Sequence, residues 1–364
     1  VSPTLPRPRA VLLALALLLV VGLVPAATAS APPSAAAAAA APPRVALGAQ
    51  FHGLWADWTD AQRAKALDTL RANGVTSVRI DVGWGMIEPR RGQYDYGWGV
   101  PQVDKVLRMA RERGLRVLAT LWLTPSWANG GRGDKVLPTD VADYGRVARF
   151  AASRWKDVEA WQVWNEPNSA AFLSPPDPTA YTRLLKAAYP QIKAGNPAAR
   201  VVFGGTEYVD TAWIDRAYQA GARSAFDVMA VHPYQGDSSA APEHPTDGNK
   251  WWLDQTRVLL DVMRKHGDGA KHVWFTEMGW SAHANTSSTP VWARGVSEAV
   301  QADYLVRSVR YASAQFPQVT RAYWYNSRDK ATGDLHQDRF GLMRRDLTAK
   351  PALRAAGCAY LGRC

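Results

Sequence analysis

From Arg44 onward, short apolar runs alternate with longer segments in which apolar positions recur at helical spacing. Eight runs read as strands: 45 to 54, 77 to 84, 116 to 125, 160 to 168, 200 to 207, 227 to 234, 272 to 280 and 321 to 329. The segments between them carry helix start and stop signals. Thr59 with Gln62 forms a capping-box pattern ahead of a helix that stops at Asn73-Gly74, and Val103, Val106, Leu107 and Ala110 share one face of a second that ends at Gly114. A third helix starts at Asp140 and turns Val141, Tyr144, Ala148, Ala151 and Trp155 to one side. Asp177-Pro178 opens a fourth with an N-cap and a proline at the first helical position. Further helices are expected near 211 to 220, 250 to 266, 295 to 316 and 348 to 356.

The strands are continuously apolar rather than strictly alternating, which places them in a parallel sheet covered by helices. Eight such β/α units close into a (β/α)8 TIM barrel over residues 45 to 364. A doubly wound open sheet is the competing architecture, but it gives no reason for chemistry to collect at so many strand ends.

The first 44 residues have another character. Arg7 and Arg9 precede an apolar run from Ala10 to Val24 and then Ala27-Thr28-Ala29, the pattern of a secretory signal peptide cleaved after Ala29. The run is short of the roughly 20 residues that span a bilayer, so no membrane span is expected after cleavage. Residues 30 to 44 are Ala/Pro-rich and read as a linker. The expected location is therefore secreted or at the exterior of the cell envelope. Both cysteines, Cys358 and Cys364, fall in the last seven residues, where a disulfide suits an oxidising compartment and no cysteine metal site or redox motif is formed.

Removal of residues 1 to 29 lowers the formal charge from +11 to +9. The cations are scattered among acids with no block of one sign, so a solvated surface accounts for them and no nucleic-acid partner is expected. The same balance permits an acidic polysaccharide. The 16 tryptophans exceed what packing asks of a chain with 47% hydrophobic and 21% charged residues.

In a TIM barrel the functional groups stand at the C-terminal ends of the strands. Here those ends offer His52 and Trp55; Arg79, Asp81 and Trp84; Trp122 and Thr124; Asn165 and Glu166; Glu207; His232 and Tyr234; Glu277 and Trp280; Trp324 and Asn326. The set is rich in carboxylates, donors and indoles and poor in grouped metal ligands, a combination suited to sugars. "VWNEPN" (163 to 168) and "WFTEMGWS" (274 to 281) resemble the two signature strands of the clan A glycoside hydrolases, retaining β-glycosidases built on TIM barrels, with families 39 and 5 closest in appearance. The resemblance implies that Glu166 is the acid/base and Glu277 the nucleophile. It also implies substrate-binding roles for Arg79, Asn165, His232, Tyr234, Trp280 and Trp324.

Retaining hydrolysis needs two carboxyl groups about 5 to 5.5 Å apart. Strands 4 and 7 face each other across the barrel mouth and can supply that gap. Arg79 and a hydroxyl from Tyr234 would stabilise the Glu277 anion, whose charge in turn keeps Glu166 protonated for the first step. Asn165 is expected to meet the sugar 2-hydroxyl, His232 to orient Asn165, Tyr234 or a sugar hydroxyl, and Trp280 with Trp324 to form an apolar wall. Trp161 and Trp164 read as packing residues. The alternatives are a transglycosylase of the same chemistry and a non-catalytic carbohydrate-binding barrel. No Walker or dinucleotide glycine motif, H-E-x-x-H or G-x-S-x-G is present, so the expected chemistry uses no cofactor and no metal.

Overall fold

A computed structural model of the chain describes residues 41–364. The signal peptide and all but the last residues of the linker expected from the sequence lie outside them. Eight parallel strands form the barrel: β1 (Ala46–Gln50), β2 (Ser77–Gly83), β3 (Arg116–Trp122), β4 (Ala160–Val163), β5 (Arg200–Val202), β6 (Val228–His232), β7 (His272–Met278) and β8 (Val319–Trp324). Each pairs with its sequence neighbours, β8 returns to β1 through Ala46↔Arg321, and Val202↔Val228 joins β5 to β6, so the sheet is closed. A two-residue strand, Thr206–Glu207, extends the β5 side against β6. All eight expected strands exist. Each ends earlier than the apolar runs suggest, because residues beyond the last ladder bond turn into the loops at the mouth.

Eight longer helices surround the barrel: α1 (Asp60–Ala72), α2 (Gly99–Glu112), α3 (Val141–Arg154), α4 (Pro178–Gly195), α5 (Thr211–Gln219), α6 (Thr256–Lys265), α7 (Glu298–Gln315) and α8 (Pro351–Leu361). The starts of α1, α3 and α4 are those the sequence signals. Thr59 and Gln62 exchange both capping-box bonds, while Asp140 and Asp177 cap α3 and α4 through the backbone N–H two residues on. The helix expected from 250 begins at Thr256, preceded by a 3-10 turn at Leu253–Gln255. Cys358 and Cys364 form a disulfide at the end of α8, and the Tyr360 hydroxyl donates to the Val45 carbonyl, tying that helix to the start of the barrel.

The barrel interior changes character from bottom to top. Leu118, Ala160, Val202, Val228, Ala230, Trp274 and Tyr323 fill its lower part with apolar volume. A Cβ on Gly48 would lie 2.4 Å from the Tyr323 ring, so β1 needs glycine where that ring crosses the axis. Towards the C-terminal ends the inward positions become Gln50, Arg79, Thr120, Gln162, His232 and Thr276, all buried. Buried polar groups need partners. The bonds that satisfy them build the site.

Candidate active site

The Arg79 side chain, 1% exposed, stands on β2 near the axis. Its Nη1 donates to Glu277 Oε1 and Gln50 Oε1, both at 2.6 Å, and its Nη2 donates to Asn165 Oδ1 at 2.6 Å. One planar guanidinium thus joins the ends of β1, β2, β4 and β7, a geometry that lysine cannot copy. Burial opposes its charge, but Asp81, Glu277 and Glu166 outweigh that cost and raise its pKa. Asp81 beside it is half-buried; Arg79 and His52 together hold its carboxyl below the usual range against the effect of that burial. Because the Asn165 carbonyl is taken by Arg79, its amide N–H groups are what remain to meet a ligand.

β4 ends at Val163, and the chain then passes through left-handed backbone at Trp164 (φ 73°) and Glu166 (φ 44°). Such conformations cost about 1 kcal/mol or more in non-glycine residues and persist where surrounding bonds enforce them. Here the Glu166 N–H donates to the carbonyls of Gly204 and Gly205 at 3.1 and 3.0 Å. The turn aims the carboxyl of Glu166 inward, 5% exposed. Gly205, itself left-handed, leaves room for His232, whose Nε2 would lie 2.5 Å from a Cβ there.

Glu277 arrives by a different device. On β7, Val273 and Phe275 face the helices and Trp274 and Thr276 face the axis, so strict alternation would send Glu277 outward. The pairing with β8 shifts register between Phe275 and Met278, and Glu277 turns to the axis beside Thr276. The Tyr234 hydroxyl donates to its Oε2 at 2.9 Å. Burial and the neighbouring Glu277 charge hold the Tyr234 pKa well above the ordinary phenol value, so it acts as a donor throughout.

His232, fully buried at the end of β6, places Nδ1 2.6 Å from Glu166 Oε1 and Nε2 3.0 Å from Thr276 Oγ1. Its bond is to the acid itself, not to Asn165 or Tyr234 as expected from the sequence. Burial raises the Glu166 pKa to about 7; His232 pulls it down, and the charges of Glu277 and Glu207 push it up again. One ligand atom each from Glu166, His232 and Glu277 lie within 4.8 Å of one another. That spacing would also suit a cation, but both Glu277 oxygens already accept from Arg79 and Tyr234, so a metal there would sit against a guanidinium. The donor set fits proton transfer and attack by a carboxylate.

A cleft of about 300 Å³ opens over the two glutamates, walled by Phe172, Tyr208, Trp292, Tyr325, His336 and Phe340. The expected wall of Trp280 and Trp324 is corrected. They are 2% and 0% exposed, belong to the core between barrel and helices, and donate their indole N–H groups to the Ala240 and Phe340 carbonyls. On β8 the inward residue is Tyr323, so Trp324 faces out and Tyr325 returns to the cleft. The alternation of Tyr323, Trp324 and Tyr325 was the signal available in the sequence. Gln50, which braces both Arg79 and Asp81, had a weaker one: a polar residue closing an apolar strand. Glu207 lines the cleft as well. Trp161 and Trp164 pack, as expected.

Comparison with known proteins places the chain in a family. A probable glucan 1,3-beta-glucosidase of Arthroderma benhamiae is 28% identical over 52% of this chain and 47% of its own length. A beta-galactosidase of an Arthrobacter species is 27% identical over 42% of this chain and 25% of its own. The chain thus spans about half the length of the first of these curated relatives and a quarter of the second. Among solved structures, a family 39 glycoside hydrolase from Bacteroides cellulosilyticus WH2 superposes with a TM-score of 0.70 at 23% identity, covering 88% of this chain and 64% of that one. GH5_18 from Streptomyces cattleya, solved in complex with GlcNAc, gives 0.67 at 19% identity over 88% and 80% of the two chains. Both share the fold. Residues 40–329 match the cellulase model of glycosyl hydrolase family 5, and with that match over most of its length the chain belongs to this family.

Proposed function

We propose that the protein is a retaining β-glycoside hydrolase that cleaves a β-linked polysaccharide or oligosaccharide outside the cell by double displacement. The observation that carries the reading is the gap between the carboxyl groups. Oxygens of Glu166 and Glu277 approach within 4.8 Å. Retaining enzymes use a separation of about 5 Å, whereas inverting ones leave about 6.5–9.5 Å for a water molecule. The named relatives, a glucosidase and a galactosidase, act on β-glycosides, which supports the substrate class.

In the first step a Glu277 oxygen attacks the anomeric carbon, the bond from that carbon to the glycosidic oxygen breaks, and the Glu166 proton goes to the departing oxygen. Formation of the ester removes the Glu277 charge, one of the influences that raise the Glu166 pKa. Glu166 is then the better base toward water, which attacks the anomeric carbon, releases Glu277 and returns the proton. Asn165 offers its amide to the 2-hydroxyl. Tyr325 and Phe340 give the C–H face of the sugar an aromatic surface. Export is supported by the apolar run from Ala10 to Val24 followed by Ala27-Thr28-Ala29, and by the Cys358–Cys364 disulfide.

The test is product release from β-gluco-, β-galacto-, β-manno- and β-xylo-configured glycans and aryl glycosides, with the anomeric form of the first product read by NMR. Turnover with a β-anomer formed first is expected, falling by about 10³-fold or more in Glu277→Gln while sugar binding persists. An α-anomer formed first, or a Glu277→Gln variant as active as the parent, would remove the mechanism.

A further inference from the structure

Beside the catalytic cleft lies a second cavity of about 230 Å³, formed by the loops after β1 and β8. We propose that it is a glycone-side subsite for a sugar unit that carries a carboxylate. The inference rests on the glycosidase reading above and adds a substrate class to it.

Two features of the cavity point to a polar, anionic occupant. First, the charges do not balance. Arg328, Lys330 and Arg345 line the cavity against a single carboxylate, Asp57, which is shared by Arg328 and Arg345. Lys330 donates to the Tyr325 hydroxyl at 2.7 Å and pairs with no acid among the described residues. Burial presses its ammonium below the ordinary lysine pKa, while the more distant charges of Glu277, Asp338 and Asp334 act in the opposite sense. Second, Trp55 is 43% exposed and stacked on His52 with ring centroids 4.0 Å apart, a rigid apolar face for a pyranose ring.

The position fits a neighbouring subsite. Tyr325 lines the cleft over Glu166 and Glu277, and its hydroxyl binds Lys330 of the second cavity, so one side chain separates the two. β8 stands across the barrel from β4, which carries the acid that protonates the leaving group. A sugar in the second cavity therefore lies away from the leaving group, on the side that stays bound to Glu277.

The test uses the full chain with Glu277→Gln and calorimetric titration of β-1,4-linked gluco-, manno- and galacto-configured trisaccharides. Each is paired with a counterpart whose non-reducing unit is oxidised at C6 to the carboxylate. At least one acidic member is expected to bind about tenfold more tightly than its neutral partner, with the preference shrinking as salt is added. Lys330→Met should abolish most of that preference, and Arg345→Ser, at the exposed rim, should reduce it without disturbing buried packing. If no acidic member binds better than its neutral partner, or if the preference survives in both variants, the proposal is overturned. Cleavage by Glu277→Gln would count against the nucleophile instead, and the acidic-to-neutral ratio of KM would then decide the subsite by the same criterion.

Discussion

Burial raises the Glu166 pKa to about 7, against the pull of His232 and with the push of Glu277 and Glu207. The protonated form is the one that can protonate a leaving group, so kcat/KM should fall as pH rises through about 7 with the slope of a single proton. Two substitutions move that midpoint in opposite directions. Glu277→Gln removes a repelling charge and should lower the Glu166 pKa, read by carbon NMR of the labelled carboxyl because turnover is lost. His232→Ala removes the partner at 2.6 Å and should shift the basic limb of kcat/KM upward while reducing kcat. An unmoved limb would show that His232 only packs. Arg79 is tested by Arg79→Met, which leaves Glu277 buried without its guanidinium; breaking a buried pair in this way costs roughly 3–5 kcal/mol, measurable as a lower urea midpoint. At this scale the sequence was informative because Asn165, Glu166, His232, Tyr234 and Glu277 interrupt apolar runs at their ends and Arg79 interrupts one from within. The identity of the His232 partner was not legible, since it depends on where the left-handed turn at Glu166 points the carboxyl.

Strand periodicity explains both the success and the failure at the next scale. All eight strands were legible as apolar runs, and α1, α3 and α4 began at the caps the sequence marked. Facing was harder. Resemblance put Trp324 in the site, whereas alternation from Tyr323 turns it to the helices and gives the cleft Tyr325 instead. The opposite holds on β7, where alternation alone would have pointed Glu277 outward and only the register shift against β8 reverses it. A register shift has no residue signature here, so resemblance was the better guide. Gly48 offers a test of how tightly the lower barrel is packed. An added methyl 2.4 Å from the Tyr323 ring cannot be accommodated without moving the ring or the strand. Overpacking of this kind costs about 1–3 kcal/mol. Gly48→Ala should therefore lower the thermal midpoint clearly, and Gly48→Ala with Tyr323→Leu should recover part of the loss. No recovery in the double variant would place the strain in β1 rather than against Tyr323.

For the molecule as a whole, the site that performs the chemistry should cost stability in the pH range where it operates. Glu166 has an ordinary pKa of 4.5 in the unfolded chain and about 7 in the folded one. Between those values the folded state holds a proton that the unfolded state has released. Stability from this group is fully present below about pH 4.5 and is lost as pH rises through 7. Acids such as Asp81, whose pKa is lowered by Arg79 and His52 against the effect of burial, have the opposite sign: their stabilisation is present above the unfolded carboxylate range and is lost on acidification. The two effects bracket a maximum on the weakly acidic side of neutrality. Glu166→Gln removes the first without touching the second, because glutamine cannot ionise. Parent and variant should then melt at similar temperatures near pH 4.5 and diverge above it, the variant being the more stable at pH 8 though nearly inactive on glycans. Parallel melting curves across pH 4.5 to 8 would mean that the buried carboxyl carries no such cost, and the basic limb of the activity profile would then need a different titrating group.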